Sequence, residues 1–278
     1  MEQKYRLFIT DLDGTLLDDA KEISPANREA IAGLLRRGIP ATIFTGRNFH
    51  SAKDIVEDLQ LSVPVVFQNG ALIMNLGTGE VFRQVGLRSE VAREILAKAL
   101  QMELHPLVYS GFLDLPDIMA QSEFWGGMPF GRYVEANRFR LRMVADLSHE
   151  MQQRDHIAQM AIVGRQEELQ RLSDFSQGTF SEQISVVMSS VIEGVGFLEF
   201  FGPKVSKGIA FERLLDLFGV PAENTVFIGD NFNDVPLMER VGMPVAMANA
   251  PAEVKAICKL VVSDNNSDGV AQAISRLF

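Results

Sequence analysis

Short apolar runs alternate with helical spacings along residues 5–70. Leu7, Phe8 and Ile9 in a row predict a buried strand over 5–10, which delivers Asp11 at its C-terminal end. Ser24-Pro25 predicts a helix start, with serine as N-cap and proline at the first helical position, where its missing N–H costs nothing. Ile31, Leu34 and Leu35 supply that helix with an apolar face, and Gly38 stops it. Further strands are predicted over 39–44 and 63–67, ending in Thr45-Gly46-Arg47 and Gln68-Asn69-Gly70, with a helix over 51–59 between them. The far end repeats the rhythm. Ile209, Phe211, Leu214, Leu215 and Leu217 predict a helix over 208–218 that stops at Gly219. Strands follow over 225–228, 244–247 and 260–262, with a helix over 252–258. Strands alternating with helices predict βαβ units, a mostly parallel sheet, and strand ends gathered on one rim by right-handed crossovers.

The middle of the chain patterns differently. Helical spacing appears over 89–102 and 166–173, while 138–144, 156–163 and 184–189 alternate like antiparallel strands. A loop rich in glycine and aromatics, Phe124-Trp125-Gly126-Gly127-Met128, interrupts them. The expectation is an α/β core built from 1–83 and 196–278, with an α+β domain of 84–195 inserted. The crossings are expected near 82–85 and 195–197, with hinges close to Gly86 and Gly194–Gly196.

Composition narrows the function. The chain has 278 residues, 47% of them hydrophobic and 22% charged, which is a globular composition. Against 26 Lys and Arg stand 36 Asp and Glu, a net charge of −10. That argues against a nucleic-acid partner, whose binding rests on a basic surface, and leaves an anionic small substrate open. One cysteine excludes an internal disulfide and a multi-thiolate zinc site. No apolar run approaches the ~20 residues that span a bilayer, and no signal-like stretch precedes the first strand. A cytoplasmic protein with no membrane association is expected, a monomer or weak homodimer.

Four polar clusters fall where strands of the parallel sheet should end, the place where open α/β sheets bind ligands. Asp11-Leu12-Asp13-Gly14-Thr15-Leu16-Leu17 carries two carboxylates two residues apart past a buried strand, with Gly14 permitting a tight turn. Thr45-Gly46-Arg47 offers a hydroxyl and backbone N–H groups at a strand–helix junction, which suit a phosphate oxygen. Lys207, close to Lys204, opens a helix against the macrodipole, which is better explained by an anion to be met than by helix stability. Gly229-Asp230-Asn231-Phe232-Asn233-Asp234 adds further acids. Carboxylates around one point need a cation, and an oxygen-only set without His or Cys suits Mg²⁺. The scattered His50, His105, His149 and His156 form no metal motif, although His50 lies near Arg47 in sequence. Cys258 reads as a small hydrophobe. Arg138, Arg140 and Arg142 alternate with Phe139 and Leu141, which predicts a basic strand face turned to solvent or to substrate.

In order and separation these clusters resemble the motifs of the haloacid dehalogenase superfamily of phosphatases, in its Cof-type branch (class IIB), whose large α+β cap is inserted between the second and third motifs. Asn69-Gly70-Ala71, Met247-Ala248-Asn249-Ala250 and Asp268-Gly269-Val270 resemble further segments of that branch. The resemblance implies a Rossmann-like core and a cap that selects the substrate. It implies Asp11 as nucleophile, forming an aspartyl-phosphate, and Asp13 as general acid and base. It implies Mg²⁺ held by Asp11, the backbone carbonyl of Asp13, and Asp230, with Asn233 and Asp234 as outer contacts. Thr45, the Gly46 amide and Lys207 are implied to hold the phosphoryl group, with Asn249 reaching the lysine or the phosphate. Like-charged neighbours are expected to raise the Asp13 pKa. The implied reaction is hydrolysis of a small phosphorylated metabolite, a sugar phosphate or a phosphorylated cofactor. A phosphosugar mutase and a phospho-accepting regulatory module without turnover remain as alternatives. The side chains expected to select the substrate come from 125–130 and 138–142.

Overall fold

The computed structural model describes residues 4–61, 63–121, 135, 137–192 and 194–278. They form two compact units. One joins Met1–Gln84 to Ser206–Phe278, and the other is Val85–Val205.

The first unit is built on a five-stranded parallel sheet. Its spatial order is Leu260–Val262, Met243–Met247, Thr225–Gly229, Leu7–Thr10, Ala41–Ile43. The apolar run at Leu7–Thr10 is buried on both faces, as a parallel strand between helical layers must be. Leu7 and Ile9 join a core with Phe227 and with Ala210, Phe211 and Leu214 of the helix Lys207–Phe218. Phe8 points the other way and meets Phe278 edge-on, with ring centroids 6.0 Å apart. The helix Pro25–Arg36 starts as predicted, with the Ser24 hydroxyl accepting from Asn27 N–H at 3.1 Å. Ser24 also donates to Asp268 at 2.5 Å, tying the two chain segments of the unit together.

The strand Val65–Phe67 departs from the parallel pattern. It pairs antiparallel with Leu72–Met74, which pairs with Val81–Gln84. Its link to the parallel strands is a single bridge, Phe44 to Val66. The turn at Gln68–Gly70 reverses the chain at once, so the strand finds its partner in its own successor.

The second unit holds a six-stranded sheet in the order Ser185–Ile192, Val195–Phe201, Gln159–Arg165, His105–Tyr109, Ile118–Ala120, Leu141–Met143. Helices Ser89–Gln101, Leu147–Gln152 and Gln166–Phe180 accompany it, around a core of its own that includes Val91, Ile95, Leu147, Leu169 and Leu198. The last helix runs seven residues beyond the predicted 173. Val195–Phe201 is paired on both sides. The expected return at 195–197 therefore lies inside this sheet, and Gly194–Gly196 turn a hairpin rather than a crossing. The chain leaves the unit at Val205–Ser206.

Residues 138–144 also differ from expectation. Arg138–Arg140 form a 3₁₀ turn, and Leu141–Met143 runs parallel to Ile118–Ala120. The three arginines do not share a face. Arg140 is buried and grips Asp117, with Nε 2.8 Å from Oδ1 and Nη2 on Oδ2. A buried carboxylate captured the guanidinium and broke the alternation. Arg142 pairs with Glu150 at 2.5 Å. Residues 125–130, expected to face substrate, lie outside the described residues. Among the described residues, no helix is long and apolar enough to cross a membrane.

Candidate active site

Asp11 leaves the central strand with its backbone N–H donating to Ile228 at 3.0 Å, so it emerges on the rim beside the end of Thr225–Gly229. Opposite it stands Lys207, the first residue of its helix, capped by the Ser206 hydroxyl accepting from Ile209 N–H. Lys207 is wholly buried, with Nζ 2.8 Å from Asp11 Oδ1 and 2.6 Å from Asp234 Oδ1. Asp234 uses its other oxygen on the backbone, accepting from the N–H groups of Asp230 at 2.9 Å and Asn231 at 3.0 Å. This aspartate therefore holds the lysine and the loop that carries Asp230.

Asp230 folds back over Gly14. Gly14 has φ +71°, and a Cβ there would lie 2.3 Å from Asp230 Oδ2. Glycine thus lets the two loops touch and adopts a backbone conformation costly for other residues. The Thr15 hydroxyl donates to Asp230 Oδ1 at 2.9 Å. Asn249 donates to the Gly14 carbonyl at 2.8 Å and lies 3.5 Å from Asp230 Oδ2. Among the described residues these two are the side-chain partners found for Asn249, and Lys207 is not one of them.

Asp13, two residues on, faces two cations. Arg47 Nε lies 2.5 Å from Oδ2 and its Nη2 2.6 Å from Oδ1, and Lys21 Nζ lies 3.0 Å from Oδ1. Burial pushes the Asp13 carboxyl up, but the Arg47 hydrogen bond and charge, with Lys21, outweigh it and hold the carboxyl below its ordinary range. This reverses the expectation of a raised pKa. The nearest charges are cations, and they come from segments whose proximity the spacing did not reveal.

Thr45 is buried, and its hydroxyl accepts from Arg47 N–H at 3.0 Å while its own N–H goes to Val66. Beside it, Gln68 and Asn69 are buried with φ of +49° and +54°. Their N–H groups bond the carbonyls of Arg47 at 2.8 Å and Thr45 at 3.0 Å. Such left-handed conformations persist in non-glycine residues where surrounding structure enforces them. Asn69 Oδ1 accepts from Asn233 Nδ2 at 3.0 Å, and a Cβ on Gly46 would sit 3.4 Å from the Asn69 amide. Asn233 thus braces the Thr45–Arg47 loop through Asn69. His50 stacks edge-on against Phe49 at 5.1 Å, and Lys204 belongs to the other unit.

The electrostatics of the rim are unbalanced. Burial raises Asp11 well above the ordinary carboxylate range; Lys207 opposes this, while Asp234 and Asp230 reinforce it. Asp230 is pushed up to about 7 by burial and by Asp234, against the Thr15 hydrogen bond and Lys207. Lys207 stays charged, because Asp11 and Asp234 outweigh its burial. Asp11, Asp230 and Asp234 each present an oxygen within 4.8 Å of the others. With one lysine against three acids and only hard oxygen donors, the group suits a metal cation. The Gly14 approach is what brings Asp230 into it.

Arg47, Lys21, Thr15 and Asn69 are site residues to which the sequence assigned no role. Arg47, Thr15 and Asn69 stood inside motifs the sequence singled out, which marked them without fixing what they touch. Lys21 carried no local signal.

An α/β core with carboxylates, a buried lysine and a hydroxyl loop gathered on one rim defines a phosphoryl-handling enzyme. The family model of haloacid dehalogenase-like hydrolases matches residues 8–274, and the chain belongs to that family. A crystal structure of a haloacid dehalogenase-like hydrolase from Bacteroides thetaiotaomicron superposes with a TM-score of 0.84 at 28% identity, covering 99% of this chain and 100% of that one. The pyridoxal phosphate phosphatase YbhA of Escherichia coli (strain K12) is 27% identical, over 97% of each chain. The 5-amino-6-(5-phospho-D-ribitylamino)uracil phosphatase YwtE of Bacillus subtilis (strain 168) is 25% identical, over 96% of each. The chain is an enzyme, a phosphoric monoester hydrolase.

Proposed function

We propose that this phosphatase hydrolyses a small phosphorylated metabolite through an aspartyl-phosphate on Asp11, with Mg²⁺ as cofactor. The observation that carries this reading is the buried Asp11 carboxylate facing Lys207 at 2.8 Å, with Asp230 and Asp234 beside it. In the first step an Asp11 oxygen attacks phosphorus, the ester P–O bond breaks, and the leaving oxygen takes a proton from Asp13, which can carry one only when its carboxyl is free of the Arg47 and Lys21 contacts. In the second, water attacks the aspartyl-phosphate and gives its proton to Asp13, freeing inorganic phosphate and restoring Asp11. Splitting one displacement into two suits a carboxylate nucleophile. Lys207, the Thr45 hydroxyl and the Gly46 amide are assigned to the phosphoryl oxygens, where positioning and charge stabilisation do most of the work. Mg²⁺ held by Asp11, Asp230 and the Asp13 backbone carbonyl would supply the charge that lets a phosphate dianion approach these acids. Asp234 is assigned to hold Lys207, since both its oxygens are engaged.

The relatives' names favour a phosphorylated cofactor or its precursor as substrate, with a sugar phosphate as the other class. Val85–Val205 is assigned the selection of the leaving group, as a cap. Arg140 is set aside as a substrate contact because it is buried on Asp117. The test is a panel of pyridoxal phosphate, a phosphorylated ribitylaminouracil and sugar phosphates, with Mg²⁺ and with EDTA. Rapid quench with radiolabelled substrate should trap an acid-stable, hydroxylamine-labile phosphate on Asp11, absent from Asp11→Asn. Full turnover in EDTA, or turnover by Asp11→Asn, would refute the mechanism.

A further inference from the structure

We propose that Asn69 is a positioning residue for the hydrolysis: its backbone aims the phosphate-binding amide of Gly46, and its side chain ties that amide to the Asp230 loop through Asn233. The proposal rests on the assignment of Thr45 and Gly46 to the phosphoryl oxygens.

The aim comes from the peptide plane. The Thr45–Gly46 peptide is trans, so its C=O and N–H point to opposite sides of one rigid plane. The Thr45 carbonyl accepts from Asn69 N–H at 3.0 Å. Holding that oxygen turns the Gly46 N–H away from the turn that carries Asn69. The Arg47 carbonyl accepts from Gln68 N–H at 2.8 Å, and Thr45 N–H donates to the Val66 carbonyl at 2.9 Å. The loop is thus gripped on both sides of Gly46 by two successive N–H groups of a buried turn. Those groups reach it because Gln68 and Asn69 are both left-handed, with φ of +49° and +54°.

The turn alone does not explain why residue 69 is asparagine. Glycine adopts positive φ without steric strain and would serve the backbone better. Asparagine in a turn commonly bonds its side chain to its own backbone nearby. Here the side chain leaves the turn, and Oδ1 accepts from Asn233 Nδ2 at 3.0 Å, 164 residues on. The far end of this bond is itself fixed. Asp234 Oδ2 accepts from the N–H groups of Asp230 and Asn231, and Asn231 Oδ1 accepts from Phe232 N–H at 2.8 Å. Gly46 lies against the amide pair, since a Cβ there would sit 3.4 Å from Asn69 Oδ1 and Nδ2 and 3.7 Å from Asn233 Nδ2. Of the residues that visit a left-handed backbone routinely, glycine lacks the acceptor and aspartate would set a charge against the phosphate. Asparagine meets both needs. The bond joins the loop assigned to the phosphoryl oxygens to the loop assigned to the cation, and so sets their spacing. It gives Asn233 a role on the phosphate side, in place of an outer contact to the metal.

The experiment measures kcat/KM on nitrophenyl phosphate, the inhibition constant of inorganic phosphate, the Mg²⁺ concentration for half activity and the melting-temperature gain from Mg²⁺. The variants are Asn69→Gly, Asn69→Ala, Asn233→Ala, the Asn69→Gly/Asn233→Ala double and Thr45→Val. Asn69→Gly keeps the left-handed turn and removes only the brace. It and Asn233→Ala should each lower kcat/KM and weaken phosphate inhibition by ~10-fold, as a small misplacement of a binding group does. The double should be no worse than either single. Asn69→Ala, which also strains the turn, should lose more than Asn69→Gly. Both Mg²⁺ readouts should stay at wild-type values in the Asn69 and Asn233 variants. Should Asn233→Ala fail to fold, Asn233→Ser, whose shorter side chain falls short of Asn69, carries the same comparison. A raised Mg²⁺ requirement in Asn233→Ala would make Asn233 a contact of the cation. Additive losses would separate the two asparagines, and losses confined to the Asn69 variants would put Asn69 on the phosphate itself. Each of these overturns the brace. Thr45→Val tests the assignment beneath it. If Thr45→Val weakens phosphate inhibition and Asn69→Gly does not, the loop binds phosphate unaided and the proposal alone fails. If neither weakens it, the loop is not the phosphate site and both fail.

Discussion

Lys207 is the residue on which most of the rim depends. It is wholly buried between two aspartates, one at 2.8 Å and the other at 2.6 Å. Removing one partner of a buried ion pair leaves charge without compensation. Lys207→Met should therefore cost ~3–5 kcal/mol of stability, read as a lower melting temperature without divalent cations, as well as activity. A melting point within about a degree of wild type would show that the acids simply take up protons instead. How much of the site was legible divides along the same lines. Asp11, Asp13 and Asp230 announce themselves because each follows an apolar strand in a short motif. The partnership of Asp13 with Lys21 depends on the turn at 18–22, and that of Arg140 with Asp117 on the placement of an edge strand. Neither leaves a trace in local spacing.

At the scale of elements, the strands and helices of the parallel unit could be read from the chain because each is short, apolar and punctuated by Ser-Pro, glycine or a polar cluster. The turn Gln68–Gly70 could not. Its successive left-handed residues are imposed by bonds to Thr45 and Arg47 rather than by composition. Two substitutions separate its backbone from its side chain. Asn69→Gly and Asn69→Ala both lose the bond to Asn233, but only alanine must hold a side chain at φ +54°. Alanine should be less stable than glycine by ~1–2 kcal/mol, measured by denaturant midpoint. Equal midpoints would mean that the turn relaxes when its side-chain bond is gone. Gly14→Ala tests the other close approach. A Cβ 2.3 Å from Asp230 Oδ2 cannot be accommodated without moving that carboxylate, so turnover should fall sharply and the Mg²⁺ concentration for half activity should rise. An unchanged Mg²⁺ requirement would place Asp230 outside the cation site.

For the whole molecule, the crowded acids couple stability to pH. Asp11 and Asp230 bind protons more tightly in the folded chain than in the unfolded one, because burial and neighbouring carboxylates disfavour their charge. From the ordinary carboxylate range up to about 7, where Asp230 titrates, the folded state carries the extra protons and cation-free protein loses stability as pH rises. Asp13 runs the other way, its lowered pKa contributing stability that is lost only as pH falls through that value. A bound cation offsets the loss at the high end. The melting-temperature gain from Mg²⁺ should accordingly be larger at about pH 7.5 than at about pH 5.5, and equal gains would count against a cation at these acids.

The parallel sheet also sets a timetable. Leu7–Thr10 lies between Ala41–Ile43 and Thr225–Gly229, so the strand carrying Asp11 waits for a neighbour made more than two hundred residues later. Val85–Val205 pairs its strands within itself. A chain leaving the ribosome can complete that unit while residues 4–84 still lack the partner that closes their sheet. Chains stalled after residue 205 should carry a protease-resistant fragment of the second unit and a digestible first segment. Once the far strands emerge, the first segment should become resistant in a single step. Early protection of 4–84 would mean that the first strands hold together without their distant partners.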